Sequence, residues 1–199
     1  MTTFSDQAAA ADTYIANDTP TTNYGTGNSL ANGEWNGGAQ VGRVLLKFDL
    51  SSIPTSATVI SATLSLWVVA DYADNTRVHR VFRTKRAWTE MGATWNKYDG
   101  TNDWQTAGGF GANDCEQTDI GNTSIANNTA VGTEVQFALA ASSVEAMIDG
   151  TFTNNGFMLK ADTEMDDMWA FVSAENASAA QRPKLVIEYV VGGNVMWWY

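Results

Sequence analysis

The sequence predicts an all-β fold, an antiparallel two-sheet sandwich or jelly roll with one short helix. Three observations predict it. Apolar and polar residues alternate with a period of two in several segments. Thr, Asn, Ser and Gly, which are typical of strand edges and turns, supply most of the polarity. The strand-like segments are short and are separated by turn signals, and the 199 residues suffice for one domain with its own core.

The clearest predicted strand is 58–69, which reads TVISATLSLWVV. Its alternation places Ala62, Leu64, Leu66 and Val68 on one face and the residues between them on the other. This pattern is typical of a strand with one buried face.

A second strand is predicted over 41–50, VGRVLLKFDL. Leu46 and Phe48 face the core in this pattern, whereas Arg43 and Leu45 face the opposite side. Further strands are predicted over 12–16, 77–83, 132–139, 156–160, 168–173 and 184–191.

One helix of about two turns is predicted near residue 145, because Val144 and Ile148 follow helical spacing. Ser142 and Glu145 form a capping-box pattern at its start, and Gly150 ends it. The segments 19–38 and 96–128 are rich in Gly, Asn, Thr and Asp and are predicted to be long loops, which favours functional or contact surfaces there.

Charge and hydropathy exclude several classes of function. The chain has 22 acidic and 11 basic residues and a net charge of −11, which disfavours nucleic acids and anionic membranes as partners. No apolar run approaches the roughly 18 to 20 residues of a membrane-spanning helix, so no membrane insertion is predicted. The first residues carry neither a basic nor an apolar signal region, so no secretory signal is predicted.

No enzymatic activity is predicted. Cys115 and His79 each stand alone in the composition, which excludes an intrachain disulfide and a Cys- or His-rich metal site. His79 alternates with Arg77 and Val81 and is predicted to lie on the surface. The acidic residues of 164–167 are interpreted as solvated turn residues rather than as the paired carboxylates of a glycoside hydrolase.

Several short phrases occur in a distinctive order along the chain. They are ADTYI at 11–15, PTTNYG at 20–25, RVLLKFDL at 43–50, ATVISATL at 57–64, WTE at 88–90 with ATWN at 93–96, NGF at 155–157 and RPKL at 182–185. Together they resemble the DNRLRE-type domain family. The resemblance implies a jelly-roll β-sandwich similar to carbohydrate-binding modules, found as a non-catalytic part of large secreted bacterial and archaeal proteins and of phage structural proteins.

The resemblance also implies a structural calcium ion near the start of the chain. Asp12 and Glu175 are the candidate ligands, because both are acids inside phrases that match the family, ADTYI at 11–15 and a later Ser-x-Glu phrase, SAE at 173–175, and calcium binds hard oxygen atoms. The alternative is that these side chains only form turn hydrogen bonds. No other cofactor is predicted.

Aromatic residues in predicted loops or at strand ends are candidates for glycan binding, because a flat ring stacks on a sugar ring. The candidates are Trp35, Tyr72 and Trp104. A role in the core or in anchoring loops is favoured for Trp67, Trp88, Trp95 and Trp169.

Two further features are candidate assembly contacts. Arg77, Arg83 and Lys85 fall on one face of a basic stripe, which either docks on an acidic neighbour or protects an edge strand by its charge. The other feature is the tail that follows a Gly-Gly pair, whose large residues are interface anchors or else fold back on the domain. These tail residues are Met196, Trp197, Trp198 and Tyr199.

We therefore expect one β-sandwich domain over 1–191 and an aromatic tail over 192–199. The expected function is that of a non-catalytic structural protein of a larger assembly, such as a capsid decoration or cement protein, or a fibre or tail module, on a phage virion surface. Its partners would be assembly subunits or further copies of itself. The alternative is a glycan-binding module of an extracellular or cell-surface polysaccharide system.

Overall fold

A computed structural model of the protein describes residues 1–7, 9–35, 37 and 40–192. In these residues the chain is mostly β with one short α-helix, which confirms the all-β class. The strands are β1 (Thr2–Gln7), β2 (Ala11–Ala16), β3 (Ser29–Trp35), β4 (Gln40–Lys47), β5 (Ala57–Asp71), β6 (Arg77–Arg83), β7 (Gly121–Ile125), β8 (Glu134–Leu139), β9 (Phe157–Ala161), β10 (Met168–Val172) and β11 (Lys184–Val191). Helix α1 (Ala141–Ile148) lies between β8 and β9, and a 3-10 turn, Ala179–Gln181, precedes β11. No helix in the described part of the chain is long and apolar enough to span a membrane.

The described strands form a continuous antiparallel sheet that curls into a half-barrel. The strand order is β1-β11-β5-β10-β3-β4-β9-β6-β7, with β2 also paired to β4 and β8 also paired to β5. The long strand β5 links the two halves. Its first part pairs with β11 and β8, and its last part pairs with β10.

The main core fills the inside of the curled sheet. The predicted inward residues of β5, Leu64 and Leu66 among them, are buried here together with Phe137 of β8 and Phe171 of β10. Helix α1 packs Val144 onto the same core. The predicted alternation in β5 is therefore confirmed by the burial of these side chains.

A second apolar cluster lies on the outer face of the sheet, beneath the long loop 84–120. Leu45 of β4 and Met158 of β9 project outward and are covered by Trp88 and Trp104 of this loop. Leu45 does lie opposite to Leu46, as predicted, but both faces of β4 are buried at this point. The loop therefore acts as an additional layer over part of the sheet.

Two strands occur inside segments that were predicted to be loops. These are β3, within 19–38, and β7, within 96–128. Strand β3 reads SLANGEW and buries the polar side chains of Asn32 and Glu34. An apolar alternation is therefore absent from the sequence, although the strand is central in the sheet.

The predicted capping box of α1 is wrong. The helix begins at Ala141 with Ala140 as its N-cap, and no side chain caps it. Glu145 instead accepts a hydrogen bond from the backbone N–H of Val59 at 2.8 Å, which ties the helix to β5. Gly150 follows the helix with φ of 84°, a left-handed conformation that suits glycine at a helix end.

Candidate metal centre and outer cleft

Three carboxylates from distant parts of the chain converge beside the start of β2. Asp12 lies on β2, Glu90 on the loop 84–120 and Glu175 on the loop after β10. One oxygen atom of each lies within 4.8 Å of the others. The structure thus brings together the two predicted calcium ligands, Asp12 and Glu175, and adds Glu90.

Hydrogen bonds to the backbone hold two of these carboxylates in place. The N–H of Ala174 donates to Asp12 Oδ2 at 2.8 Å, and the N–H of Asp12 donates to Glu90 Oε1 at 2.8 Å. Asn23 holds the backbone at Glu90 and just after it, since its Nδ2 donates to the carbonyl oxygens of Glu90 and Ala93 at 2.6 and 2.8 Å. The site is therefore built by three segments that bind one another directly.

The second oxygen of Asp12, Oδ1, is buried and has no hydrogen-bond partner in the described protein. Burial raises the pKa of Asp12 to about 8; the amide of Ala174 opposes this rise, and the carboxylates of Glu175 and Glu90 add to it. Burial also raises the pKa of Glu90. The cluster is thus electrostatically strained in its fully ionised form, and a cation among the three carboxylates would relieve that strain.

A polar cleft of about 330 Å³ lies on the outer face of the sheet, next to the loop 84–120. Arg80 of β6 and Lys160 of β9 form its floor, and Phe110 and Asp119 contribute to its wall. Arg80 Nη1 lies 3.4 Å from Asp119 Oδ1, and its Nη2 lies 3.9 Å from Asp162 Oδ2. The cleft therefore presents hydrogen-bond donors next to acceptors.

The three predicted glycan-binding aromatics have different environments. Tyr72 is 66% exposed and its N–H donates to the carbonyl of Met168 at 2.9 Å, while the half-buried Trp35 ends β3 on the other side of β10. The register of β10 with β3 and β5 places these two residues at the same end of the sheet. Trp104, in contrast, is buried in the outer cluster and donates its Nε1–H to the carbonyl of Thr94 at 2.9 Å, so it offers no open ring face to a sugar.

The predicted basic stripe is engaged within the domain. Arg77 pairs with the buried Asp167, and Arg83 pairs with Glu116 at 2.8 Å. Lys85 is exposed and donates to the carbonyl of Ala112. The interpretation as a protected edge is wrong, because β6 lies between β9 and β7. The tail candidates Met196, Trp197, Trp198 and Tyr199 lie outside the described residues.

The two potential nucleophiles or bases are buried. His79 is fully buried, so its predicted surface position is wrong; the curl of the sheet turns that side of β6 into the core. Burial lowers the pKa of His79 to about 3. Cys115 is buried too, and burial raises the pKa of its thiol to about 12, which suppresses thiolate chemistry.

Glu90 is the ligand candidate that sequence reasoning missed. It stands in the phrase WTE at 88–90, one of the phrases singled out in the sequence. Nothing in that phrase indicates that a loop residue lies beside β2, since only the folding of the loop 84–120 over the sheet brings it there. The sequence offered one signal for the site: Asp12, Glu90 and Glu175 each stand inside one of the short phrases.

Comparison with known families gives a match over nearly the whole chain. Residues 12–187 match the family described as disaggregatase related repeat domain. The resemblance to the DNRLRE-type family is therefore wrong, since the phrases on which it rested lie almost entirely inside this match. No curated protein sequence matches the chain.

Proposed function

The chain belongs to the disaggregatase related repeat domain family, and from this premise we propose that it is a non-catalytic module that binds a neutral glycan. A domain described as a repeat is a building block of larger architectures, which agrees with a binding role. The observation that carries the proposal is the polar cleft over β6 and β9.

The cleft has the chemistry that sugar hydroxyls require. A hydroxyl group donates and accepts hydrogen bonds at once, and the guanidinium of Arg80 beside the carboxylates of Asp119 and Asp162 offers donors next to acceptors. Phe110 supplies an aromatic ring at the wall, packed edge-to-face on Phe82 with ring centroids 4.8 Å apart. A few oriented polar groups next to an aromatic surface are typical of small-ligand sites.

The charges of the cleft favour a neutral ligand over a polyanion. Arg80 is balanced by Asp119 and Asp162, and Lys160 Nζ lies 3.4 Å from Glu164 Oε2. An anionic polymer would have to displace these carboxylates and would also be repelled by the net charge of −11.

Affinity electrophoresis through gels that contain neutral glucans, mannans, galactans or xylans tests this proposal. We expect one of these polymers to retard the protein, and Arg80→Ala to abolish the retardation. Lys97→Ala is the matched control, because it removes the same charge from a pair outside the cleft. Retardation that survives in Arg80→Ala but is lost in Tyr72→Ala would move the site to the end of the sheet near Trp35.

A structural role in a larger assembly, such as a virion surface, is the second proposal. Val190 and Val191 are 37% and 46% exposed at the end of β11, where the chain leads into the aromatic tail. Exposed apolar residues next to an aromatic segment favour a protein interface. Deletion of 193–199 should then abolish incorporation into the assembly without lowering the melting temperature of the domain.

We also infer that the curled sheet is organised as a two-sheet sandwich of jelly-roll type. The main core is enclosed between β5, β8 and β11 on one side and β3, β4, β6 and β9 on the other, which supports two layers joined along β5. An experimental structure that measures the angle between these two strand groups tests the inference.

A further inference from the structure

We propose that Asp12, Glu90 and Glu175 bind one calcium ion, and that this ion fastens the loop 84–120 to the body of the domain. The site is separate from the glycan cleft, so neither proposal depends on the other.

The first observation is the convergence of the three side chains. They come from β2, from the loop 84–120 and from the loop after β10, yet one oxygen of each lies within 4.8 Å of the others. Among the described residues, none of the three carboxylates forms a salt bridge with a Lys, Arg or His. When all three are ionised, their negative charges are therefore concentrated without a cation from the described part of the chain to balance them.

The second observation is independent of the clustering. Asp12 is 1% exposed, and its Oδ1 is buried with no hydrogen-bond partner in the described protein. Its other oxygen accepts the N–H of Ala174. An unsatisfied buried carboxylate oxygen carries a large desolvation penalty, which a directly bound cation removes.

The bonds that remain make the site ready for an ion. Asp12 and Glu90 each use one oxygen to hold a backbone N–H, at 2.8 Å in both cases, which fixes the orientation of each carboxylate. Glu175 is exposed and opens the site to solvent, so that water molecules can complete the coordination shell. The ligands therefore need little rearrangement when the ion binds.

The donor set selects the class of metal. All three side chains offer hard carboxylate oxygens, and neither nitrogen nor sulfur ligands contribute to the cluster. Zinc and softer transition metals favour imidazole and thiolate ligands. Magnesium demands a compact octahedral shell, whereas calcium accepts six to eight oxygens in flexible geometry and suits a site open on one side.

The position of the site gives the ion a structural consequence. Glu90 lies in the loop that carries Trp88 and Trp104 over the outer face of the sheet. Asp12 and Glu175 belong to the body of the domain, since Asp12 lies on β2 and Glu175 follows the end of β10. An ion between them cross-links the loop to the sheet, in addition to the bonds that Asn23 makes to it.

Isothermal titration of calcium chloride into the full chain, freed of metal with a chelator, tests the proposal. We expect saturable binding of one ion, a higher melting temperature, and slower proteolytic cleavage within 84–120. Magnesium chloride should give a clearly smaller increase in melting temperature. An absence of binding heat together with an unchanged melting temperature overturns the proposal, and equal increases with magnesium and calcium overturn the assignment to calcium.

Variants separate loss of the ion from loss of the fold. Asp12→Asn removes the carboxylate but keeps a side-chain oxygen that can accept the N–H of Ala174, so the metal-free variant should melt near the temperature of the metal-free parent while losing the calcium response. Glu175→Gln should weaken calcium binding at least about tenfold. Asp103→Asn, at an exposed pair with Lys97, is the control and should keep the full response. A full calcium response in Asp12→Asn and Glu175→Gln would refute the site.

Discussion

Asn32 and His79, 47 positions apart in the sequence, contact each other inside the core, where Asn32 Nδ2 lies 2.5 Å from His79 Nδ1. The ring of His79 packs edge-to-face on Trp169 with centroids 4.7 Å apart. His79 Nε2, Asn32 Oδ1 and Trp169 Nε1 are buried without a hydrogen-bond partner in the described protein. Because a buried charge without a partner is costly in an apolar core, this arrangement favours the neutral form of the His79 imidazole.

The stability of the domain should therefore depend on pH through His79. Burial lowers its pKa from 6.5 to about 3, so between these values the unfolded chain binds a proton that the folded chain does not. The free energy of unfolding consequently falls as the pH drops through this window, by up to about 1.4 kcal/mol per pH unit from this group. Urea denaturation between pH 7 and 4 measures the effect.

The variant His79→Gln isolates this contribution, because glutamine keeps a polar group beside Asn32 and does not titrate. Asp12 acts in the opposite direction. Its pKa is about 8 in the metal-free fold, so the folded chain takes up this proton before the unfolded chain does, and the free energy of unfolding rises as the pH falls below about 8. The comparison must therefore use the difference between parent and variant at each pH. A difference that does not change with pH would contradict the assignment to His79.

Arg43 forms a two-pronged ion pair on the outer face of β4, and its replacement by lysine should destabilise the domain. Its Nε and Nη2 donate to the two oxygens of Glu164 at 2.7 and 2.8 Å, and the guanidinium stacks over Trp95. Lysine keeps the positive charge but cannot form the two parallel hydrogen bonds to Glu164 or stack over Trp95. We expect Arg43→Lys to lower the free energy of unfolding by about 1 to 3 kcal/mol.

Chemical denaturation of Arg43→Lys checks this expectation, and Arg80→Lys provides the control. The Arg80 pair with Asp119 is longer, at 3.4 Å, and more exposed, so its loss should change the free energy of unfolding by less than about 1 kcal/mol. Equal changes in the free energy of unfolding for the two substitutions would contradict the expectation that the two-pronged geometry at Arg43 stabilises the domain.

The outer cluster should contribute to stability as a true core does. Leu45 is fully buried beneath the loop 84–120, together with Met158 and Trp88. Leu45→Ala should therefore lower the free energy of unfolding by about 2 to 4 kcal/mol. Ile60 is 52% exposed on β5, so Ile60→Ala should change the free energy of unfolding by no more than about 0.5 kcal/mol. Thermal and urea unfolding of both variants measure the contrast.

Two glycines with similar backbone angles separate strain from steric clash. Gly156 has φ of 86° and Gly150 has φ of 84°, which disfavours any side chain at either position. A Cβ atom at Gly156 would collide with the carbonyl oxygen of Leu46, whereas one at Gly150 would meet nothing within 4 Å. We expect Gly150→Ala to cost about 1 kcal/mol and Gly156→Ala to cost at least about 3 kcal/mol, as measured by urea denaturation.

The sequence predicted the strands in which one face is apolar and the opposite face is polar along the whole strand. Leu64 and Leu66 show this for β5, where alternation and burial agree. Strand β3 shows the limit, because Asn32 is buried by a partner on a distant strand and leaves no apolar pattern. His79 was predicted to lie on the surface for the same reason, because its burial depends on contact with Asn32 of a distant strand.

The candidate metal centre was predictable in part. Asp12 and Glu175 were identified by their place in ordered phrases, and the structure brings them together. Glu90 joins them only because the loop 84–120 folds back over the sheet, and the local sequence around Glu90 carries no sign of that return. Side chains that meet through a long loop are thus beyond a reading of local patterns.

The pairing of β1 with β11 has a consequence for how the protein forms during synthesis. Thr2 pairs with Tyr189 and Gln7 with Lys184, so the first strand of this domain finds its partner in the last one. On a ribosome, β1 must remain unpaired until β11 has emerged. Its exposed backbone groups are then free to associate with neighbouring nascent chains. Slow translation of β11 should therefore increase aggregation.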